Sequence, residues 1–144
     1  MERGTSRTAE EHFLTWKPEY SVHIDAIDRQ HQALVAFIRQ LQEAMEEGRG
    51  RAYQSTLVEN LMAYTQGHFR FEEDLMRENG YAGLGEHVRQ HEALTSQVRE
   101  LREKVRSGSV VSNASVMMFL RHWLTDHIME HDQAYARSIG RLSI

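Results

Sequence analysis

The sequence contains no cysteine and only one proline, Pro18, among its 144 residues. Without cysteine the chain cannot form disulfides, thiolate zinc sites, cysteine-held iron–sulfur clusters or a cysteine nucleophile. Any metal ion must therefore be bound by nitrogen and oxygen atoms. The single proline lies near the N-terminus, so beyond it glycines are the main residues that can interrupt a helix.

Long apolar runs and a strong excess of one charge are also absent. No segment reaches the roughly eighteen apolar residues that a membrane span needs, and the N-terminus lacks the apolar stretch of a secretory signal. The 17 basic and 21 acidic residues are mixed along the chain and give a net charge of -4, which argues against nucleic-acid and anionic-membrane surfaces. We expect one globular domain over residues 1–144, located in the cytoplasm, without nucleic-acid or membrane partners.

Glycines mark three predicted turns, at Gly48-Arg49-Gly50, at Gly80 with Gly83 and Gly85, and at Ser107-Gly108-Ser109. Between them, apolar residues recur at steps of three and four, as on the buried face of a helix. The pattern predicts an all-α, up-down-up-down antiparallel four-helix bundle with helices at about 27–47, 52–79, 84–107 and 112–138. Residues 1–26 are expected to form a non-helical arm that packs across the bundle through Trp16 and Tyr20. Asp28 is expected to cap the first helix.

Histidine is abundant, with nine residues in the chain. Five of them occupy core positions of the predicted helices, namely His31, His68, His87, His91 and His127. Each uncompensated buried polar group costs about 1–3 kcal/mol. One such histidine would be interpreted as a core residue satisfied by a neighbour, whereas five together indicate a shared purpose.

These histidines are predicted to lie at one level of the bundle. With a rise of 1.5 Å per residue, counting from the turns places the five histidines and Glu72 in one layer, near the end of the bundle where the first helix begins. Within single helices, His68-x-x-x-Glu72 and His87-x-x-x-His91 each put two ligands on one face. So many neutral imidazoles suit two octahedral ions that share bridging carboxylates better than one tetrahedral ion.

The fourth helix must supply a further ligand, and three neighbouring residues are candidates for it. Glu130 and His131 follow His127 by three and four residues, which keeps them on nearly the same helix face. Asp132 follows by five residues and points about 140° away on an ideal helix. Spacing alone therefore favours Glu130 or His131 and leaves the choice open.

Several motifs occur together in order along the chain. They are Trp16-x-x-x-Tyr20-x-Val22, Ile27-Asp28-x-Gln30-His31, His68-Phe69-x-x-Glu72-Glu73, Tyr81 ahead of His87-x-x-x-His91, and Trp123-x-x-x-His127-Ile128-x-x-x-Asp132-x-x-Tyr135. This combined pattern, from Trp16 to about Tyr135, resembles the hemerythrin family and in particular its single-domain bacterial form.

The resemblance implies a site of two non-haem iron ions (Fe²⁺/Fe³⁺) with an oxo or hydroxo bridge. It assigns His87, His91 and His127 to one iron and His31 and His68 to the other, with Glu72 and Asp132 bridging both. It thus selects Asp132 against ideal helix spacing, and a local widening of the fourth helix such as a π-bulge would reconcile the two.

The resemblance also implies that dioxygen binds reversibly at the iron with two histidines, for storage, delivery or sensing. Phe69, Trp123 and Leu124 match positions that line the oxygen pocket, and each is also compatible with ordinary core packing. An oxygen-using enzyme or a signalling protein is the candidate partner, and we expect a monomer. Glu73 is expected to be a solvated acid that faces away from the site.

The alternative is a di-iron enzyme on the same scaffold, such as an oxidase, peroxidase or nitric-oxide reductase. Bundle enzymes of the ferritin-like class use mostly carboxylates with paired Glu-x-x-His motifs, and this sequence contains no such pair. We therefore expect a binding protein and no enzymatic activity.

Overall fold

The computed structural model describes residues 14–109 and 112–140, apart from the side chains of residues 127, 139 and 140. The elements are a 3₁₀ turn (Pro18–Tyr20), α1 (Asp25–Glu46), α2 (Arg51–Glu78), α3 (Leu84–Ser107), α4 (Asn113–Arg121), a π segment (His122–Met129) and α5 (Glu130–Gly140). Every regular element in this part of the chain is helical, which confirms the predicted all-α class. No helix within it is long and apolar enough to cross a membrane.

The four-helix bundle is built from α1, α2, α3 and a composite fourth helix made of α4, the π segment and α5. α2 packs against α1 and α3, and the fourth helix closes the bundle against α1. The predicted turns fall between the helices, except that Gly85 and Ser107 lie within α3. α3 ends at Gly108 with φ 76°, a left-handed backbone conformation that favours glycine because it lacks a Cβ atom.

The N-terminal arm differs in two respects from its prediction. Residues 1–13 lie outside the described residues, and the remainder contains the 3₁₀ turn. α1 begins at Asp25, two residues earlier than predicted, so that Asp25 and Asp28 both lie in its first turn, where acidic groups are favoured by the helix dipole. Trp16 and Tyr20 pack against the core as expected.

The capping role predicted for Asp28 is wrong. The residue before the helix is Ile24, and no side chain caps it. Asp28 instead accepts hydrogen bonds from the hydroxyl of Ser21 at 2.6 Å and the backbone N–H of Val22 at 2.9 Å. The carboxylate therefore attaches the arm to α1.

The buried apolar residues form two clusters. The larger one fills most of the bundle, and the smaller one contains Val22, Ile27, Met76, Tyr135 and Ala136 at the end where α1 begins. Polar residues lie between the two clusters along the helices. On α1, for example, His31 lies between Ile27 of the smaller cluster and Leu34 of the larger one. The fold thus places a buried polar layer near this end of the bundle.

Candidate metal centre

The polar layer contains six of the seven predicted metal ligands. They are His31 on α1, His68 and Glu72 on α2, His87 and His91 on α3, and Asp132 on α5, and none is more than 5% exposed. The backbone of the seventh, His127, lies in the π segment, and its side chain is outside the described residues. The layer predicted from helix rise is therefore present for these six residues.

Their ligand atoms form two groups that share both carboxylates. One group contains His31, His68, Glu72 and Asp132, and the other contains Glu72, His87, His91 and Asp132, with all ligand atoms of a group within 4.8 Å of one another. Two overlapping groups of this kind suit two metal ions with common carboxylate bridges.

Asp132 lies at the centre of the arrangement. One carboxylate oxygen, Oδ2, is 2.7 Å from Nε2 of His31 and 3.2 Å from Nε2 of His68. The other oxygen, Oδ1, is 3.4 Å from Nε2 of His87. The two oxygens of one carboxylate thus face histidines of different groups, as a bridging ligand requires.

Glu72 has the corresponding position on α2. Its Oε1 is 3.1 Å from Nε2 of His91, and its Oε2 is 3.1 Å from Nε2 of His68 without hydrogen-bond geometry. Glu72 is completely buried. A buried carboxylate oxygen without a hydrogen bond is costly, and a cation between Glu72 and the histidines would satisfy it.

The two carboxylates have opposite pKa shifts. Burial, followed by the negative charge of Asp132, raises the pKa of Glu72 well above its usual value. Burial also acts to raise the pKa of Asp132, but hydrogen bonds from Glu72, His31, His68 and His87 outweigh it and hold that pKa well below its usual value. Without metal, Glu72 therefore binds a proton more readily than Asp132.

His91 is neutral over a wide pH range. Burial, followed by the neighbouring His87, lowers the pKa of His91 to about 3. A metal ligand must be unprotonated at the donor nitrogen. This histidine therefore has no positive charge to lose at neutral pH before it binds a cation.

Two of the histidines form hydrogen bonds through Nδ1, the ring nitrogen that points away from the site. Their partners are two side chains that were not among the predicted site residues. Nδ1 of His68 donates to Oε1 of Gln30 at 2.6 Å, and Nδ1 of His91 donates to Oε2 of Glu73 at 2.7 Å. The prediction that Glu73 is a solvated acid is therefore wrong. Its side chain is long enough to reach from α2 to α3, and it is only 21% exposed. A metal-binding histidine needs a hydrogen-bond acceptor for its other ring nitrogen. This requirement is the signal that could have identified Gln30 and Glu73.

The π segment accounts for the position of Asp132. It covers residues 122–129 and so includes the backbone of His127. Hydrogen bonds from i to i+5 widen the helical turn, so residues five apart come closer to one face than on an α-helix. Asp132 is 1% exposed, whereas Glu130 is exposed. The predicted local widening is confirmed, and it reconciles the i+5 spacing with an inward-facing carboxylate.

The three residues predicted to line the oxygen pocket are all buried. The ring of Phe69 stacks on His91, with 3.8 Å between centroids and an interplanar angle of 7°. Trp123 donates from its indole N–H to the carbonyl of Leu94 on α3 at 3.0 Å, which anchors the π segment to α3. Leu124 is fully buried next to it. The pocket role of these residues stays a prediction.

The donor set fits iron ions. Among the described residues, the buried polar side chains include two acids and four histidines but no lysine or arginine, so no fixed cation balances the two carboxylates. Buried charge is costly unless it is paired or coordinates a metal. Imidazole nitrogens with carboxylate oxygens are a set that iron accepts.

Fold and site together define a four-helix-bundle protein with a dinuclear metal centre. The family model described as "Hemerythrin HHE cation binding domain" matches residues 22–139. This chain belongs to the hemerythrin family, whose domain binds a di-iron centre.

Individual proteins and a solved structure are similar to this chain. The bacteriohemerythrin of Stenotrophomonas maltophilia (strain R551-3) is 34% identical over 126 residues, which cover 88% of this chain and 81% of that protein. The myohemerythrin of Riftia pachyptila is 28% identical over 83% of this chain and 88% of its own length. A crystal structure of wild-type hemerythrin superimposes with a TM-score of 0.78 at 26% identity, covering 88% of this chain and 97% of that chain.

Proposed function

We propose that this chain binds dioxygen reversibly at a di-iron centre, for oxygen storage, delivery or sensing. The ligands in this proposal are His31, His68, Glu72, His87, His91, His127 and Asp132. The observation that carries it is the pair of ligand groups sharing Glu72 and Asp132. Membership of an oxygen-binding rather than a catalytic family supports the same function.

In this proposal the side chains of the site position the two metal ions, balance their charge and exclude water. A pair of ferrous ions held by these residues would supply the reversible electron transfer that dioxygen binding needs. Glu72 and Asp132 would hold both ions through their carboxylate oxygens, and the histidines would complete the ligand set. His87, His91 and His127 would hold one ion, and His31 and His68 would hold the other, so dioxygen would bind on the side with fewer histidines.

The apolar surroundings favour release of the ligand unchanged. Phe69, Trp123 and Leu124 are at most 4% exposed. Apolar side chains around a metal site limit the entry of water and protons. We therefore assign these three residues to the oxygen pocket.

Iron content and reversibility test the proposal together. Protein loaded anaerobically with ferrous iron and desalted should retain two irons per chain. Its absorption spectrum should change on exposure to oxygen and return to the starting spectrum when oxygen is removed. Asp132→Ala should lose the second iron, and the matched control Glu130→Ala, at an exposed neighbour, should keep both. Retention of one iron by the wild type, or a spectrum that never returns, would contradict the proposal.

Two statements about the whole protein accompany this function. We infer a monomer, because the large apolar side chains exposed in the described part, Tyr53, Phe71 and Met118, are distributed over α2 and α4 rather than collected in one apolar surface. Light scattering after size exclusion would test this. The cytoplasmic location and an oxygen-using enzyme or signalling protein as partner stay predictions.

A di-iron enzyme is the second candidate, and the ligand set argues against it. The four described histidines outnumber the two carboxylates, whereas bundle oxidases of the ferritin-like class rely mainly on carboxylates. Substrate-dependent oxygen consumption by iron-loaded protein would reveal such an enzyme.

A further inference from the structure

The Nδ1 atoms of His68 and His91 point away from the metal site and meet different acceptors. His91 donates to the carboxylate of Glu73 at 2.7 Å. His68 donates to the neutral amide oxygen of Gln30 at 2.6 Å. The two bonds have nearly the same length, but one acceptor carries a negative charge and the other does not. His68 and His91 belong to different ligand groups. The acceptor at Nδ1 is therefore charged in one group and neutral in the other.

We propose that Glu73 is a positioning residue of the metal site and that its charge, set against the neutral Gln30, makes the two iron positions electronically unequal. The iron at His87 and His91 is then the one more readily kept ferric. This inference rests on the proposed di-iron function, and it goes further by assigning different properties to the two ions.

The positioning part of the proposal follows from the orientation of His91. A neutral imidazole carries one proton, and the hydrogen bond to Glu73 holds it on Nδ1. Nε2 then presents its lone pair to the site, where it lies 3.1 Å from Glu72. Phe69 stacks on one face of the ring and blocks the rotation that would bring the other nitrogen inward. Glu73 and Phe69 thus fix both the tautomer and the plane of this ligand.

The electronic part follows from the charge of Glu73. A carboxylate that accepts the Nδ1–H hydrogen bond increases the basicity of the opposite nitrogen. A more basic ligand stabilises the ion of higher charge more than the ion of lower charge. The amide of Gln30 orients His68 in the same way but adds no charge. The ferric state is therefore favoured at the His91 position.

The surroundings of Glu73 make it suitable for substitution. Glu73, His91 and Phe69 lie in a groove of about 480 Å³ between α2 and α3, and Glu73 is 21% exposed. Shortening this side chain therefore leaves no closed cavity in the core. Glu78, exposed on the same helix, provides a control for the loss of one negative charge.

The experiment compares Glu73→Gln, Glu73→Ala, Gln30→Glu and the control Glu78→Gln with the wild type. In metal-free protein, ¹⁵N NMR of the histidine rings reports which nitrogen of His91 carries the proton. We expect the Nδ1–H form in the wild type and in Glu73→Gln, and a mixture in Glu73→Ala. Titration with Co²⁺ should show binding that is about 10- to 100-fold weaker in Glu73→Ala.

The reduction potential of the iron-loaded protein tests the charge. Loss of charge in Glu73→Gln should weaken ferric relative to ferrous binding about tenfold, which raises the one-electron potential by about 59 mV. Gln30→Glu should lower the potential and make the two iron positions electronically more alike. Glu78→Gln should keep the wild-type potential, because its charge lies outside the site.

The outcomes separate this proposal from the proposed function. An unchanged His91 tautomer together with unchanged Co²⁺ affinity in Glu73→Ala would overturn the positioning role. Equal potentials in Glu73→Gln and Glu78→Gln would overturn the electronic role, and this comparison decides the matter even where Glu73→Ala does not fold. A wild-type chain that takes up no metal would defeat the proposed function alone, because the tautomer is measured without metal.

Discussion

Each buried polar side chain of the metal site needs a partner, either a hydrogen-bonding group in the metal-free protein or a bound metal ion. In the metal-free protein Glu72 binds a proton more readily than Asp132, and the histidines surround both carboxylates. Bound cations take over the role of that proton. The behaviour of individual side chains should therefore differ measurably between the two states.

Metal binding should release a proton from Glu72. Its pKa in the folded protein is raised well above 4.5, so above pH 4.5 the folded chain holds a proton that the unfolded chain has lost. The contribution of this group to stability is complete below about pH 4.5 and is lost as the pH rises through the folded pKa. A metal ion binds the carboxylate form and displaces the proton.

This release can be measured with a pH indicator in weakly buffered solution during Co²⁺ titration, at several pH values above 4.5. The wild type should release about one proton more per chain than Glu72→Gln. The exposed control Glu78→Gln should release as many protons as the wild type. Equal release by wild type and Glu72→Gln would contradict the assigned proton.

Leu124 is expected to protect the oxygenated protein. It is completely buried and lies in the π segment that also contains the backbone of His127. Leu124→Ser should admit water and protons and speed the oxidation of iron to the ferric state. The helical fold should be retained, since truncation of a buried leucine costs about 2–5 kcal/mol and bound iron adds stability.

The decay of the oxygenated spectrum in air measures this rate. Leu57→Ser is a matched control, because Leu57 belongs to the same core cluster but lies roughly 22 Å before Glu72 along α2. It should lower the stability without accelerating the decay. Equal decay in Leu124→Ser and wild type would remove the protective role from Leu124.

At the scale of elements, the non-α parts of the chain determine how the site is closed. The π segment brings Asp132 inward, and the arm packs Trp16 and Tyr20 against the core. Both depend on a few polar contacts. The Asp28 contacts to Ser21 and Val22 are the bonds that join the arm to the first turn of α1.

Asp28→Ala should release this part of the arm. Loss of two hydrogen bonds to a carboxylate should lower the free energy of unfolding by about 1–3 kcal/mol, and the amide of Val22 should exchange faster with solvent. Urea unfolding and hydrogen exchange measure the two effects. Asp25→Ala, at an exposed residue of the same helical turn, is the control. Slow Val22 exchange in Asp28→Ala would show that other contacts hold the arm.

At the scale of the whole molecule, the polar layer divides the apolar core into two clusters. Without metal, the layer contains two buried acids with no lysine or arginine among the described buried residues. The bundle is therefore expected to be considerably less stable in its metal-free form.

Removal of iron by a chelator should lower the melting temperature. A ligand present at a thousand times its dissociation constant stabilises the folded state by about 4 kcal/mol per site. Thermal unfolding followed by circular dichroism, with and without iron, measures the difference. Asp132→Ala should show a much smaller difference than Glu130→Ala. Identical melting temperatures of iron-loaded and iron-free wild type would contradict a structural contribution of the metal.

The sequence alone determined the helical bundle and the level of its polar layer. Glycine punctuation and apolar spacing are local properties, and a fixed rise per residue converts positions such as His31 and Glu72 into heights along the bundle. The ligand pattern of the hemerythrin family could be recognised for the same reason, because it consists of residue types at fixed distances along the chain.

Only the tertiary structure decided what depends on contacts between helices or on irregular backbone. Helix spacing favoured Glu130 or His131, the family resemblance selected Asp132, and the π segment shows how Asp132 comes to face inward. Glu73 was expected in solvent and Asp28 at a helix cap, yet each carboxylate finds its partner on a different segment, His91 on α3 and the arm before α1. A side chain selects its hydrogen-bond partner from whatever the fold brings within about 3 Å, and sequence spacing within one helix does not contain that information.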